Sequence, residues 1–482
     1  MKEISNRKDR ICYILMIFLA GFICLGNNAF SNREIWTDSS VFQYVAMEMQ
    51  QGRVPYLDTF DHKGPLIYVI NYLGLAISRS YGIWFLECVG MVVTMLYGYR
   101  TARLCAKPGV SLAAVGLSSV FLCFCLQGGN LTEEYAMPLI AIGLYIFLQY
   151  FTEGEISKGS IFLCGASMGG VLLLRPNMIA VWIAGCLLVL VDCIHRKTYA
   201  QLPGFIGSFL GGVAACVLPF ILWLWVRGAM RAAIDSYITF NFQYSSAKFS
   251  QMGWLEVGKY LIFHFVPVIS AIGILVMLFW DRTNKSVMIL LSWMLSIVLI
   301  LLPGNRYRHY VLVLIPVIVY PIAWLISWCV NSAGTKKKAV VLILAAILCW
   351  NVRSQGKQML RTVLDSVSRA IATESEPDSV VDIILERTDD EDCITVYGNC
   401  DRYYLLSHRM SASRYSYQDP IGIVNPEILE EYFDDLAQNI PKVVVWPGCQ
   451  ENPDWEQDRM YQFLEANGYL RDSDEASVFY LP

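Results

Sequence analysis

Apolar runs near the thickness of a hydrocarbon core recur along most of the chain. They fall near 11–30, 66–80, 81–99, 109–127, 136–151, 160–174, 176–192, 203–226, 257–280, 286–302, 310–330 and 339–352. Such runs predict membrane helices, because lipid offers the backbone no water and a helix satisfies its own amides. The alternating pattern of a transmembrane barrel is absent from these segments. The first run follows Lys2, Arg7, Lys8 and Arg10 and lacks a clear small-residue cleavage site, so it reads as a retained anchor rather than a signal peptide.

Polar gaps between the runs set the expected topology. Lys and Arg collect at the N-terminus and at Arg100–Lys107, His195–Lys197, Arg282–Lys285 and Lys336–Lys338. Cytoplasmic loops are the basic ones, and these gaps share a side only if segment 66–80 does not cross. That segment is short, which suits an interfacial or re-entrant helix. The expected fold is an α-helical polytopic membrane protein of about eleven spans plus that one interfacial helix. Its N-terminus is then cytoplasmic, in a bacterial plasma membrane, and 31–65, 128–135, 175–176, 227–256 and 303–309 are outer loops.

Beyond Arg353 the pattern shortens to strand and helix alternation. Cys393–Gly398, Lys442–Trp446 and Ser477–Leu481 read as strands, and Asp401–His408, Pro426–Gln438 and Asp454–Asn467 as helices. This predicts a membrane domain over 1–352, with a catalytic first outer loop at 31–65. A small extracytoplasmic α/β domain is expected over 353–482.

Composition supports that division. The chain is 55% hydrophobic and 16% charged, well under the quarter usual for soluble proteins. Residues 1–352 hold 26 Lys+Arg against 16 Asp+Glu, while residues 353–482 hold 11 against 25. An acidic tail argues against nucleic acid as a partner. The 15 cysteines include no CxxC pair, so most read as small buried hydrophobes, and a bridge between Cys393 and Cys400 is left open. No glycine-rich phosphate loop and no internal repeat occurs.

The candidate chemistry lies in the first outer loop. Trp36-Thr37-Asp38-Ser39-Ser40 precedes Val41, Tyr44, Val45 and Met49 at helical spacing. Asp38 there is either a helix cap or a functional carboxylate. The loop ends in Asp61-His62-Lys63-Gly64-Pro65-Leu66, which sets an acid, an imidazole and an ammonium at the head of an apolar segment. A snorkelling helix start is the plain alternative. Trp36, Tyr56, Tyr135, Tyr237, Phe240, Phe242, Tyr244 and Trp254 read as an aromatic belt that also suits stacking on sugars.

With these motifs the chain resembles the GT-C membrane glycosyltransferases. The branch in question holds protein O-mannosyltransferases, lipid A aminoarabinose transferase and rhizobial lipopolysaccharide transferases. In that branch an acidic residue follows the first span, as Asp38 does. An acidic-His/Lys-Lys/Pro-Pro-Leu motif closes the first outer loop, as Asp61 to Leu66 do, with Gly64 in place of the first proline. Asp38-Ser39 also departs from the Asp-Glu pair of the O-mannosyltransferases. Thr132-Glu133-Glu134-Tyr135, Gly304–Tyr310 and the tail stretches Tyr403–Arg409 and Ser413-Arg414-Tyr415 resemble bacterial members of the branch.

The resemblance implies transfer of a sugar from a polyprenyl-phosphate donor to an acceptor hydroxyl, with inversion. The acceptor is a glycan, a lipid or a protein. Asp38 is the expected general base. Asp61, His62, Lys63, Arg175, Arg306 and His309, with Arg308 beside them, are expected to hold the donor sugar and its phosphate, whose leaving charge needs fixed cations. Glu133, Glu134 and Tyr307 are candidates for acceptor or sugar hydroxyls. Two adjacent carboxylates are too few for a metal site, so no metal is assigned, and a divalent cation is the one cofactor left open. The rival readings are a transporter, a flippase for lipid-linked glycans and a polysaccharide polymerase. A transporter would set charges at mid-membrane and show repeat halves.

Overall fold

The structure, a computed structural model, describes residues 7–31, 37–251, 255–256, 258–260, 268–302, 304, 307–331, 353, 355–371, 378–449 and 455–482. The expected last span at 339–352, together with Trp36, Trp254 and Arg306, lies outside the described residues. The chain packs as two units. One comprises residues 1–31, 80–222 and 248–371, and the other 32–79, 223–247 and 372–482.

The first unit is helical and is that of an integral membrane protein. Six helices among the described residues are long and apolar enough to cross a membrane: Gly82–Arg103, Pro108–Cys125, Thr132–Glu153, Tyr199–Val226, Asn284–Leu301 and Arg308–Asn331. Lys158–Leu172 and Ala180–His195 are shorter apolar helices, and Arg7–Cys24 precedes them all. Large apolar side chains on these helices face outward, Phe18 at 71% and Trp225 at 68% exposure. Such a surface is stable only against lipid.

Polar ties bind opposite ends of this bundle. Asp9, near the start of the first helix, accepts from Tyr99 at 2.6 Å and from Arg103 Nε at 2.9 Å. Asp192 accepts from Tyr150 at 2.9 Å, Arg196 at 3.0 Å and Asn284 at 3.2 Å. At the other end Trp84 Nε1 donates to the Cys24 carbonyl at 2.9 Å. The first helix therefore ends where Gly82–Arg103 begins, on one end of the bundle.

The second unit is built on a five-stranded sheet. Its strands are β1 (Cys393–Val396), β2 (Met410–Ser411), β3 (Val443–Val445), β4 (Leu470–Arg471) and β5 (Val478–Tyr480). The order is β2-β1-β3-β5-β4, with β1 parallel to β2 and β3, and β5 antiparallel to β3 and β4. The valine-rich strands are short and buried on both faces, as a helix-covered sheet requires. Ile394, Val396, Val443, Val445 and Val478 pack with Ile384 and Tyr404, and with Tyr44 and Met47 from the helix Thr37–Gln50. The tail core is thus completed by the loop that follows the first helix.

The structure adds to or departs from the sequence reading at several points. Residues 227–256 are mostly helix rather than loop: Met230–Ile234 passes through a π turn, Asp235–Thr239, into Phe240–Gln251. β2 and β4 were not expected, since two residues leave no readable period. Asp38 is not a cap; it stands in the first turn of Thr37–Gln50, where a carboxylate meets the positive end of the helix dipole. Cys393 and Cys400 are free thiols.

Candidate functional site

The second unit gathers the motif of the first loop. Pro65–Ile77 starts at the end of that motif, with Pro65 at its first position and Gly64 as the preceding residue at φ −72° and ψ 155°. A proline would adopt the same φ, so a proline at position 64 would fit this backbone. Asp61 is 2% exposed, yet its carboxylate is fully engaged. It accepts from the His62 amide at 2.7 Å, the Tyr417 hydroxyl at 2.8 Å and the Tyr68 hydroxyl at 2.8 Å. Burial pushes its pKa above the usual carboxylate value, while the Lys63 charge and these donors pull the other way.

His62 and Lys63 are held just as closely. Lys63 Nζ lies 3.0 Å from His62 Nε2, and the Lys63 carbonyl accepts from Tyr56 at 2.7 Å. The His62 ring stacks on Tyr244 at 5.5 Å, and its carbonyl accepts from Asn241 Nδ2 at 2.6 Å. Tyr237, Phe240 and Tyr244, read as belt aromatics, therefore belong to a helix that walls this motif.

Asp38 contrasts with Asp61. It is half-buried and has no hydrogen-bond or ion-pair partner among the described residues. Its charge acts on the Tyr417 phenol, whose pKa is raised by burial and by Asp61, with smaller effects from Asp401 and Asp38. A half-buried carboxylate without a protein donor is available to take a proton, whereas Asp61 already accepts three hydrogen bonds.

The first unit holds a second cluster. Glu133 and Glu134 were expected in an outer loop, and the structure places them on a helix instead. They lie in the first turn of Thr132–Glu153. Arg175 Nη1 donates to Glu133 Oε1 at 2.5 Å, and Arg175 Nη2 to the Tyr310 hydroxyl at 2.8 Å. The guanidinium also lies 4.2 Å from the centre of the Tyr310 ring. His309 is buried, with Nδ1 2.8 Å from Gln127 Oε1 and its ring stacked on the half-exposed Tyr307 at 5.4 Å.

Glu134 faces away from this pair toward Asn27, which donates to it at 3.2 Å. Nearby Glu87 accepts from the Asn130 amide at 2.6 Å. Gly129, at φ +86°, makes this approach feasible, since a Cβ there would stand 2.2 Å from Glu87 Oε1. Among the described residues no three His, Cys, Asp or Glu side chains gather as metal ligands would.

Sequence reasoning passed over Tyr68 and had no hold on Tyr417, Asn241, Glu87, Asn27 and Gln127. Tyr68 alone carried a signal, being three residues past Pro65 on the same short helix.

Comparisons with known proteins agree with this architecture. The sequence pattern of the competence-induced protein Ccs4 N-terminal domain matches residues 2–336. A crystal structure of ArnT from Cupriavidus metallidurans bound to undecaprenyl phosphate superposes with a TM-score of 0.60 at 13% identity, covering 98% of this chain and 97% of that one. The apo form of the same protein gives a TM-score of 0.61 at 13% identity over the same shares. The chain therefore has the fold of that ArnT structure. No curated protein sequence matches.

Proposed function

We propose that this chain, which belongs to the family of the competence-induced protein Ccs4 N-terminal domain, is a membrane glycosyltransferase. It moves a sugar from a polyprenyl-phosphate donor to an acceptor hydroxyl on the outer membrane face. The observation that carries the reading is the contrast of two carboxylates: Asp61 accepts three hydrogen bonds, and Asp38 has no partner among the described residues. The fold of an undecaprenyl-phosphate-binding neighbour supports the choice of donor class.

In this reaction the acceptor oxygen attacks the anomeric carbon while its proton passes to Asp38. The bond from that carbon to the phosphate oxygen breaks, and polyprenyl phosphate leaves with the negative charge. Lys63, positioned by His62 and Asp61, meets this charge. Arg175, oriented by its counter-ion Glu133, is the first unit's own candidate contact to the donor. His309, Tyr307, Arg306 and Glu134 complete the candidate contacts to donor or acceptor.

The topology proposed with it has about eleven spans, a cytoplasmic N-terminus and an extracytoplasmic C-terminal domain. The shared end of Arg7–Cys24 and Gly82–Arg103 supports the view that Pro65–Ile77 makes no net crossing.

The test is turnover of a panel of labelled polyprenyl-phosphate sugars by the purified chain in lipid bilayers. Release of polyprenyl phosphate from one of them supports the reading, and inactivity across donors and acceptors contradicts it.

A further inference from the structure

Within the second unit, residues 53–61 and 411–417 run side by side. The Phe60 amide donates to the Arg414 carbonyl at 2.8 Å, and Arg414 Nη2 to the Tyr56 carbonyl at 3.4 Å. One end of this paired stretch carries Asp61 and Tyr417. The other opens into a cleft of about 290 Å³ that includes Arg53, Leu57, Asp58, Arg414, Asp435 and Asn439 in its lining.

The charges around this cleft balance, two guanidinium groups against two carboxylates. Each carboxylate spends one oxygen on the protein. Asp58 Oδ2 takes the Val54 amide at 2.6 Å, and Asp435 Oδ2 takes the Ser413 hydroxyl at 2.7 Å. Among the described residues the second oxygen of each has no protein partner; Arg414 Nε also has none but is buried beneath the surface. Arg53 bonds Glu48 through Nη1 alone at 3.0 Å, leaving Nη2 unused.

A lining of unspent donors and acceptors with no net charge suits a ligand whose groups both donate and accept, which is what hydroxyls do. An anionic ligand would meet Asp58 and Asp435, and a cationic one Arg53 and Arg414. Leu57, 42% exposed, offers an apolar contact of the kind a sugar ring's CH face needs. Arg414 and Tyr417 are three positions apart, which in extended chain is at most about 11 Å. The cleft is thus within reach of a chain molecule whose end lies at Asp61.

We infer that this cleft is a binding subsite for an uncharged, polyhydroxylated chain, namely the glycan acceptor of the proposed transfer. The inference rests on the transferase reading for the ligand's role, but not for its binding. Binding is therefore measured without donor. The full chain in lipid nanodiscs is titrated with neutral tri- to pentasaccharides of N-acetylglucosamine, galactose, mannose and rhamnose, read by saturation-transfer NMR and calorimetry. An oligomer of glycerol phosphate serves as the anionic probe.

The expected result is saturable binding of at least one neutral oligosaccharide, weakened tenfold or more in Leu57→Trp, which fills the cleft, and in Asp435→Asn. Three results overturn the inference: no neutral oligosaccharide binds, binding is unchanged in both variants, or the anionic oligomer binds more tightly. Oligosaccharide binding by a chain that turns over no donor would sink the transferase reading while leaving the subsite in place.

Discussion

The Tyr417 hydroxyl donates to Asp61 at 2.8 Å across 356 positions of sequence, and it stands 3.3 Å from His62 Nδ1. A residue of the tail thereby fixes the carboxylate and the ring that precede Lys63. The tail residue is part of the motif's geometry, and a change there should register in the chemistry assigned to the loop.

Tyr417→Phe removes that donor and leaves a buried carboxylate short of one bond. The expected cost is about 1–3 kcal/mol of stability, with donor turnover reduced tenfold or more because His62 and Lys63 lose their alignment. Thermal unfolding and turnover of the same preparation measure both. Normal turnover in a folded Tyr417→Phe chain would show that the motif does not depend on the tail.

Arg175→Leu takes from Glu133, whose side chain is 3% exposed, its ion-pair partner, leaving the Thr132 hydroxyl as a donor. An uncompensated buried charge costs about 3–5 kcal/mol. Adding Glu133→Gln should return most of that stability. Turnover should stay low in the double variant, since the phosphate contact is still missing. Restored turnover would make Arg175 a structural residue only.

Two buried acids of the second unit predict a pH profile. Burial pushes Glu48 and Asp401 up to about 7 each, against the opposing hydrogen bonds of Tyr44 and Ser416 respectively. The folded chain therefore holds protons that the unfolded chain releases above about pH 4. Their contribution is full below that pH and is lost as pH rises through about 7, at up to about 1.4 kcal/mol per unit for each proton. Melting temperature should fall from pH 5 to pH 8, and Glu48→Gln with Asp401→Asn should flatten the slope. An unchanged slope in that double variant would contradict the assignment.

For topology, an alkaline phosphatase fused after Pro482 should be active and a fluorescent protein at the same position dark. The reverse pattern would place the tail inside the cell and invert every outer-loop assignment.

Asp61, His62 and Lys63 were legible because three chemical types adjoin at the head of an apolar segment. Asp38 was legible from its place after the first run. Their partners were not. Tyr417, Tyr68 and Asn241 act through contacts set by folding, and a tyrosine in a polar stretch carries no mark of a distant carboxylate. The same limit separated Glu133 from Arg175, two named candidates whose pairing only the helix packing reveals. Most apolar runs became helices because their length and hydropathy leave lipid no alternative. The predicted loop at 227–256 failed as a loop because helix formation there depends on packing as well as composition, with Asn241 bonded to the His62 carbonyl.

The central claim is that Asp38 takes the acceptor's proton. Its most direct test is donor turnover by Asp38→Asn beside the wild-type chain, in the same bilayers and with the same polyprenyl-phosphate sugar. Loss of a hundredfold or more in the rate of transfer is expected, in line with the usual contribution of a general base of about 10²–10⁴, with donor affinity nearly unchanged. Transfer by Asp38→Asn at a rate close to wild type would contradict it.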